Sequence, residues 1–130
     1  MTSAKPNYLF AETHEWADLQ SDGLVWVGIS DHAQIALGDV VFLETPAVGS
    51  VVAQGQACAV IESVKAASDI HAPLSGTVVA VNAAAVDAPE SINQDAYGTW
   101  LFKIQAISAE SQTQELARLH SLAQYESTLN

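Results

Sequence analysis

Glycine and proline cut this chain into short extended runs, and that punctuation points to a mainly β fold built of short strands. Leu24-Val25-Trp26-Val27-Gly28-Ile29 is rich in β-branched and aromatic residues and follows a turn at Ser21-Asp22-Gly23. His14-Glu15-Trp16-Ala17-Asp18 is its expected hairpin partner. Val40 to Glu44 is the next strand, ended by Thr45-Pro46, because proline cannot donate to a ladder. Ser50-Val51-Val52 leads through the turn Gln54-Gly55-Gln56 to a strand over Ala57 to Glu62. Ala72-Pro73-Leu74-Ser75-Gly76 turns into a strand over Thr77 to Asn82, and Asp95-Ala96-Tyr97-Gly98 into a last one over Trp100 to Ile104.

Helices are few. Ser30 or Asp31 is placed to cap a brief helix through Gln34 to Leu37, stopped by Gly38. Near the C-terminus, Ser111-x-x-Gln114 reads as a capping box, with Leu116, Leu119 and Ala123 on one stripe. The expectation is one domain over 1–130, with a core at about 8–107 and a single C-terminal helix at about 111–126. Gly38-Asp39-Val40-Val41 recurs as Gly76-Thr77-Val78-Val79. This echo suggests two related β units joined by the arm Ala57 to Ile70.

Charge narrows the function. Fifteen acidic residues face four basic ones in 130, a formal net charge of −11. Such a chain is repelled by phosphate backbones and anionic headgroups, so neither nucleic acid nor membrane is an expected partner. No apolar run approaches the ~20 residues that span a bilayer. Cys58 has no second cysteine to pair with and lies in an apolar run, as a buried inert thiol would. With no secretory or transit pattern in Met1 to Asn7, a bacterial-type cytoplasmic location is expected ahead of a processed mitochondrial one. His14, His32, His71 and His120 are dispersed without short ligand spacing, so no metal site is expected. No nucleophile elbow and no phosphate-cradling glycine loop is present.

Lys65 stands alone among small neighbours, Ser63, Ala66, Ala67 and Ser68, and the runs on either side place it at or near a hairpin tip. An unhindered primary amine there suits a transferase that must close its active site over one side chain. Acylation of that amine removes its charge and turns the long stem into a tether.

Val60-Ile61-Glu62-Ser63-Val64-Lys65-Ala66-Ala67-Ser68-Asp69-Ile70, followed by Ala72-Pro73-x-Ser75-Gly76, resembles the lipoylation segment of the glycine cleavage system H protein family. The resemblance continues in Tyr8 with His14-Glu15-Trp16, in Val27 to Gln34 with Leu37 to Phe42, in Pro89 to Asn93, and in Tyr97-Gly98 with Trp100-Leu101. It covers roughly residues 8 to 125 in the family's order. Tyr97-Gly98-Thr99-Trp100 is one residue shorter than the family's usual form.

The resemblance implies a barrel-sandwich hybrid of two small antiparallel sheets, with short helices and a C-terminal helix. It implies covalent lipoate, as N6-lipoyllysine at Lys65, attached by a lipoate ligase or a lipoyl/octanoyl transferase. Glu62 and Gly76 fill the two positions it associates with recognition by that enzyme. It further implies a non-catalytic carrier working with three enzymes. Glycine decarboxylase (P protein) loads an aminomethyl group onto the arm as carbon dioxide leaves. The aminomethyltransferase (T protein) passes the methylene to tetrahydrofolate and frees ammonia. Dihydrolipoyl dehydrogenase (L protein) reoxidises the dithiol. Thr13, Glu15 and Asp69 match positions lining the cleft that shelters the loaded arm, with Glu15 and Asp69 holding its ammonium. The rival readings are an H-like lipoyl relay or donor protein, a lipoyl domain of a 2-oxoacid dehydrogenase complex, and a β domain whose lysine is never modified. Methionines expected beside a biotinyl lysine are absent, since Val64 and Ala66 flank Lys65.

Overall fold

The computed structural model describes residues 3–129. Short strand β1 (Leu9–Phe10) pairs with β2 (Glu15–Leu19), and β2 returns through Ser21-Asp22-Gly23 as β3 (Val25–Ile29). The turn is held by the Asp22 carboxylate accepting the Leu24 N–H at 3.0 Å. Helix α1 (Asp31–Leu37) starts where the Ser30 hydroxyl accepts the Ala33 N–H, and it stops at Gly38, whose φ of 82° suits a residue without Cβ. Strands β4 (Val40–Glu44), β5 (Val51–Val52), β6 (Ala57–Ser63), β7 (Ala67–His71) and β8 (Gly76–Val81) follow. Two short helices, α2 (Ala83–Asp87) and α3 (Ser91–Gln94), lead to β9 (Phe102–Ala106). The chain ends in α4 (Ala109–Leu116), β10 (His120–Ser121) and α5 (Leu122–Thr128).

All ladders among the described residues are antiparallel. They form a seven-stranded sheet in the order β10-β1-β2-β3-β9-β8-β5 and a three-stranded sheet in the order β4-β6-β7. This is the mainly β, barrel-sandwich architecture expected, with short helices and a helical C-terminus. Alternation along β6 shows how each strand serves two faces: Ile61 is buried while Glu62 is exposed. Val25, Val27, Leu43, Ile61, Ile70, Leu74, Val78, Phe102 and Ile104 fill the space between the sheets. The two copies of the echo fall in different sheets, with Val40 of β4 and Val78 of β8 both buried.

A second cluster, Tyr8, Phe10, Trp16 and Tyr125, seals one end. Phe10 and Tyr125 stack at 4.3 Å between ring centroids, and Tyr8 stacks on Trp16 at 4.8 Å. Trp16 in turn lies over Gly28, its cross-strand partner, where a Cβ would stand 2.4 Å from the indole. Lys103 carries its ammonium over both Trp26 and Trp100, 4.3 and 4.5 Å from their ring centroids.

The C-terminal segment corrects the expectation of one helix at about 111–126. Ser108, not Ser111, caps α4, and Ser111 is the reciprocal partner inside the capping box. A second box, Ser121 with Gln124, starts α5. Between them His120 and Ser121 pair with Phe10 and Leu9, which covers an edge of the large sheet that one continuous helix would leave bare. The supposed single stripe divides accordingly. Leu116 and Leu119 pack on the main core, Ala123 is exposed, and Leu122 and Tyr125 join the second cluster. The last core strand begins at Phe102 rather than Trp100, and β1, α2 and α3 were not anticipated.

Candidate functional site

Strands β6 and β7 form the expected hairpin, and Val64-Lys65-Ala66 is its connection. Ser63 builds the turn almost alone. Its hydroxyl oxygen accepts the Lys65 and Ala66 N–H groups at 3.3 and 3.1 Å, and its own N–H donates to the Ala66 carbonyl at 2.7 Å. Every residue from Val64 to Asp69 is exposed, so the amine is presented on an open tip. Among the described residues the Lys65 ammonium forms no ion pair. Its stem lies against Gly38: a Cβ there would be 3.4 Å from the lysine Cε.

Glu62 lies on the outer face of the small sheet, one rung from the tip, opposite Phe42 and Ala67. Two rungs further on stand Glu44, Val60 and Asp69. Both Glu62 and Asp69 are therefore exposed on the same face. Gly76 was expected as the last residue of the turn before a strand over Thr77 to Asn82. It is instead the first residue of β8, between β5 and β9, and the close approach is to β9: a Cβ would meet the Gln105 carbonyl oxygen at 2.1 Å.

Glu15 is buried to 1% exposure at the start of β2. Its carboxylate accepts the Thr13 hydroxyl on one oxygen. The other takes the His71 backbone N–H at 2.8 Å and faces the His71 Nδ1 at 3.3 Å. Burial pushes its pKa above the usual carboxylate value, against the pull of the His71 and Thr13 hydrogen bonds. Thr13 and His71 also line an open cavity of about 230 Å³, with Glu12, Gln54, Arg118 and His120. Asp69 and His71 share a face of β7 by alternation. The structure thus joins Thr13 to Glu15, adds His71 to them, and sets Asp69 next along the same strand face.

His71 was not singled out as a site residue. The alternation Asp69-Ile70-His71 was its available signal. His14 and His32, distant in sequence, have rings 4.9 Å apart. Even so, no group of three or more His, Cys, Asp or Glu among the described residues is arranged to hold a metal ion. His14, at φ 78°, faces the Tyr125 hydroxyl at 2.6 Å, and Ser30 faces the same hydroxyl at 2.7 Å. Burial and the nearby His32 lower the His14 pKa, which favours the neutral ring. Cys58 is partly buried and its thiol is pushed up to about 11, chiefly by desolvation, as expected of an inert sulfur. Among the described residues no helix is long and apolar enough to cross a membrane.

Comparison with known proteins bears on what this lysine-tipped hairpin is for. The model of the family described as glycine cleavage H-protein matches residues 8–130. A glycine cleavage system H protein 2 from Pseudomonas syringae pv. tomato is 52% identical over 129 residues, covering 99% of this chain and 98% of its own. A glycine cleavage system H protein from Azoarcus sp. is 59% identical over 108 residues, covering 82% and 85%. The crystal structure of a glycine cleavage system H protein from Mycobacterium marinum superposes with a TM-score of 0.86 at 37% identity, covering 97% of this chain and 98% of that one.

Proposed function

Because the chain belongs to the glycine cleavage H-protein family, we propose that it is the lipoyl-bearing carrier of a glycine cleavage system, with Lys65 as the attachment residue. The observation that carries this reading is the presentation of Lys65: exposed at an open hairpin tip and without an ion-pair partner among the described residues. The residues present fit lipoate as an amide on that amine. When bound, lipoate supplies disulfide–dithiol chemistry and a sulfur able to carry a one-carbon amine fragment.

The chain's own part is presentation and shelter. The hairpin holds the amine clear of the core. Glu62, exposed one rung from the tip, supplies an acidic contact for the lipoate ligase or lipoyl/octanoyl transferase. Gly76 supports the same recognition by letting β8 close against β9. Thr13, Glu15 and Asp69 form the polar wall for a cationic cargo, and the cavity beside Thr13 and His71 supports access to it. Glycine decarboxylase, aminomethyltransferase and dihydrolipoyl dehydrogenase are the proposed partners. The whole chain acts in the cytoplasm as one non-catalytic carrier domain. Tethering raises the local concentration of the arm at each partner without adding a contact.

Incubation with lipoate, ATP and a lipoate ligase, followed by intact-mass and peptide analysis, tests the assignment. One lipoyl mass on the Lys65 peptide, absent in Lys65→Arg, is expected. No added mass would leave an unmodified β domain. Glycine–bicarbonate exchange with P protein then separates a glycine-cleavage carrier from a lipoyl relay or donor.

A further inference from the structure

The bed on which Lys65 rests is held from a distant part of the chain. Gly38 meets the lysine stem, with the Cε and Cδ atoms 3.4 and 3.8 Å from where a Cβ would be. The next residue, Asp39, accepts the Val64 N–H on its backbone carbonyl at 3.0 Å, which ties the hairpin tip to the link between α1 and β4. That link has little structure of its own: Gly38 is left-handed and Asp39 is exposed.

Asn93, in α3, grips it from both sides. Its Oδ1 accepts the Val40 N–H at 2.8 Å, and its Nδ2 donates to the Gly38 carbonyl and to the Gln34 side-chain oxygen, each at 2.9 Å. Gln34 is itself buried, and its backbone carbonyl accepts the Gly38 N–H at 3.0 Å. One amide thus fixes the residues immediately before and after Asp39. It satisfies a strand N–H and a helix-end carbonyl that would otherwise need other partners.

Resting on the carrier function proposed above, we infer that Asn93 is a positioning residue for Lys65: through Gly38, Asp39 and Val64 it sets where the hairpin tip holds the amine that is acylated. In that step the Lys65 nitrogen bonds to the carbonyl carbon of a lipoyl adenylate, the bond from that carbon to the phosphate oxygen breaks, AMP leaves, and the amine gives up a proton. The enzyme must meet the amine at a defined distance and angle, so a tip released from its tie costs rate even while it remains fully exposed.

The test compares the full-length protein with Asn93→Ala and Asn93→Asp; the second keeps an acceptor for Val40 but loses both donated bonds. Expected for each variant is a fall of roughly tenfold to a hundredfold in kcat/KM for lipoylation by a lipoate ligase, carried mainly by kcat. Acetylation of Lys65 by an N-hydroxysuccinimide ester, which needs no docking, should proceed at the wild-type rate. Amide hydrogen exchange at Val64 should accelerate while Ile61 and Ile70 in the flanking strands stay protected. Unchanged enzymatic lipoylation would overturn the inference. So would an equal loss in the ester reaction, or acceleration across the whole hairpin, since each marks general loosening. If the wild-type protein takes no lipoyl group, the carrier function itself fails, and Val64 exchange still decides whether Asn93 holds the tip.

Discussion

Replacing Gly76 with alanine tests how closely the two sheet halves are built together. The new Cβ would stand 2.1 Å from the Gln105 carbonyl oxygen, 2.8 Å from its carbon and 2.8 Å from the Ile104 Cγ2. A carbon–oxygen contact normally needs about 3.3 Å, so β8 and β9 must part by roughly 1 Å at their shared end. The obstacle is backbone within a ladder, not the loose end of a side chain, and Ile104 is fully buried behind it. Overpacking of this kind costs about 1–3 kcal/mol, and a disturbed ladder hydrogen bond adds about 1 kcal/mol. The lower entropy of the unfolded alanine chain returns about 0.5 kcal/mol. A net loss of about 1.5–3.5 kcal/mol is expected, which for a chain of this length lowers Tm by roughly 6–14 °C. Urea titration and calorimetry measure both. Gly49→Ala is the control: its φ is 91° but nothing lies within 4 Å, so only the left-handed backbone cost of about 1–2 kcal/mol is expected. A loss below 1 kcal/mol for Gly76→Ala, or one no larger than the control's, would refute the claim that close approach to β9 is what demands glycine there.

Other perturbations read other parts of the molecule. Tyr125→Phe removes the hydroxyl shared by His14 and Ser30 and leaves both to find new partners, so urea unfolding should show a loss of about 1–2 kcal/mol with an unchanged m-value. Burial raises the Glu15 pKa in the folded state, so the folded protein binds more protons there than the unfolded chain does. Its contribution to stability is therefore lost as pH rises from the ordinary carboxylate value through the raised one. Glu15→Gln should gain stability relative to wild type over that same rise, measured by urea unfolding at successive pH values; a pH-independent difference would count against it.

Much of the site was legible in the residues themselves because its signals are local. The Lys65 hairpin follows from two extended runs separated by small residues, and Ser30 and Gly38 announce the ends of α1 by capping chemistry. What escaped depends on tertiary approach. A glutamate at the start of a strand gives no hint of full burial; the His71 N–H arriving from the other sheet allows it. Gly76 looked like a turn glycine because Pro73 and Ser75 precede it, and only the position of Gln105 reveals the contact that requires it. The C-terminal segment carries two capping boxes, and choosing between one helix and two depends on the unpaired edge of β1, which no local pattern records.

The tryptophans give the molecule a built-in optical report. Trp16, Trp26 and Trp100 all border one cavity beside the large sheet, and Trp26 and Trp100 share the Lys103 ammonium. None belongs to the small sheet that carries Lys65. Indole emission therefore follows the integrity of the large sheet, and acylation of the hairpin tip should leave it nearly unchanged. A single fluorescence trace therefore reports whether a hairpin-tip variant keeps its large sheet, independently of what happens at the tip.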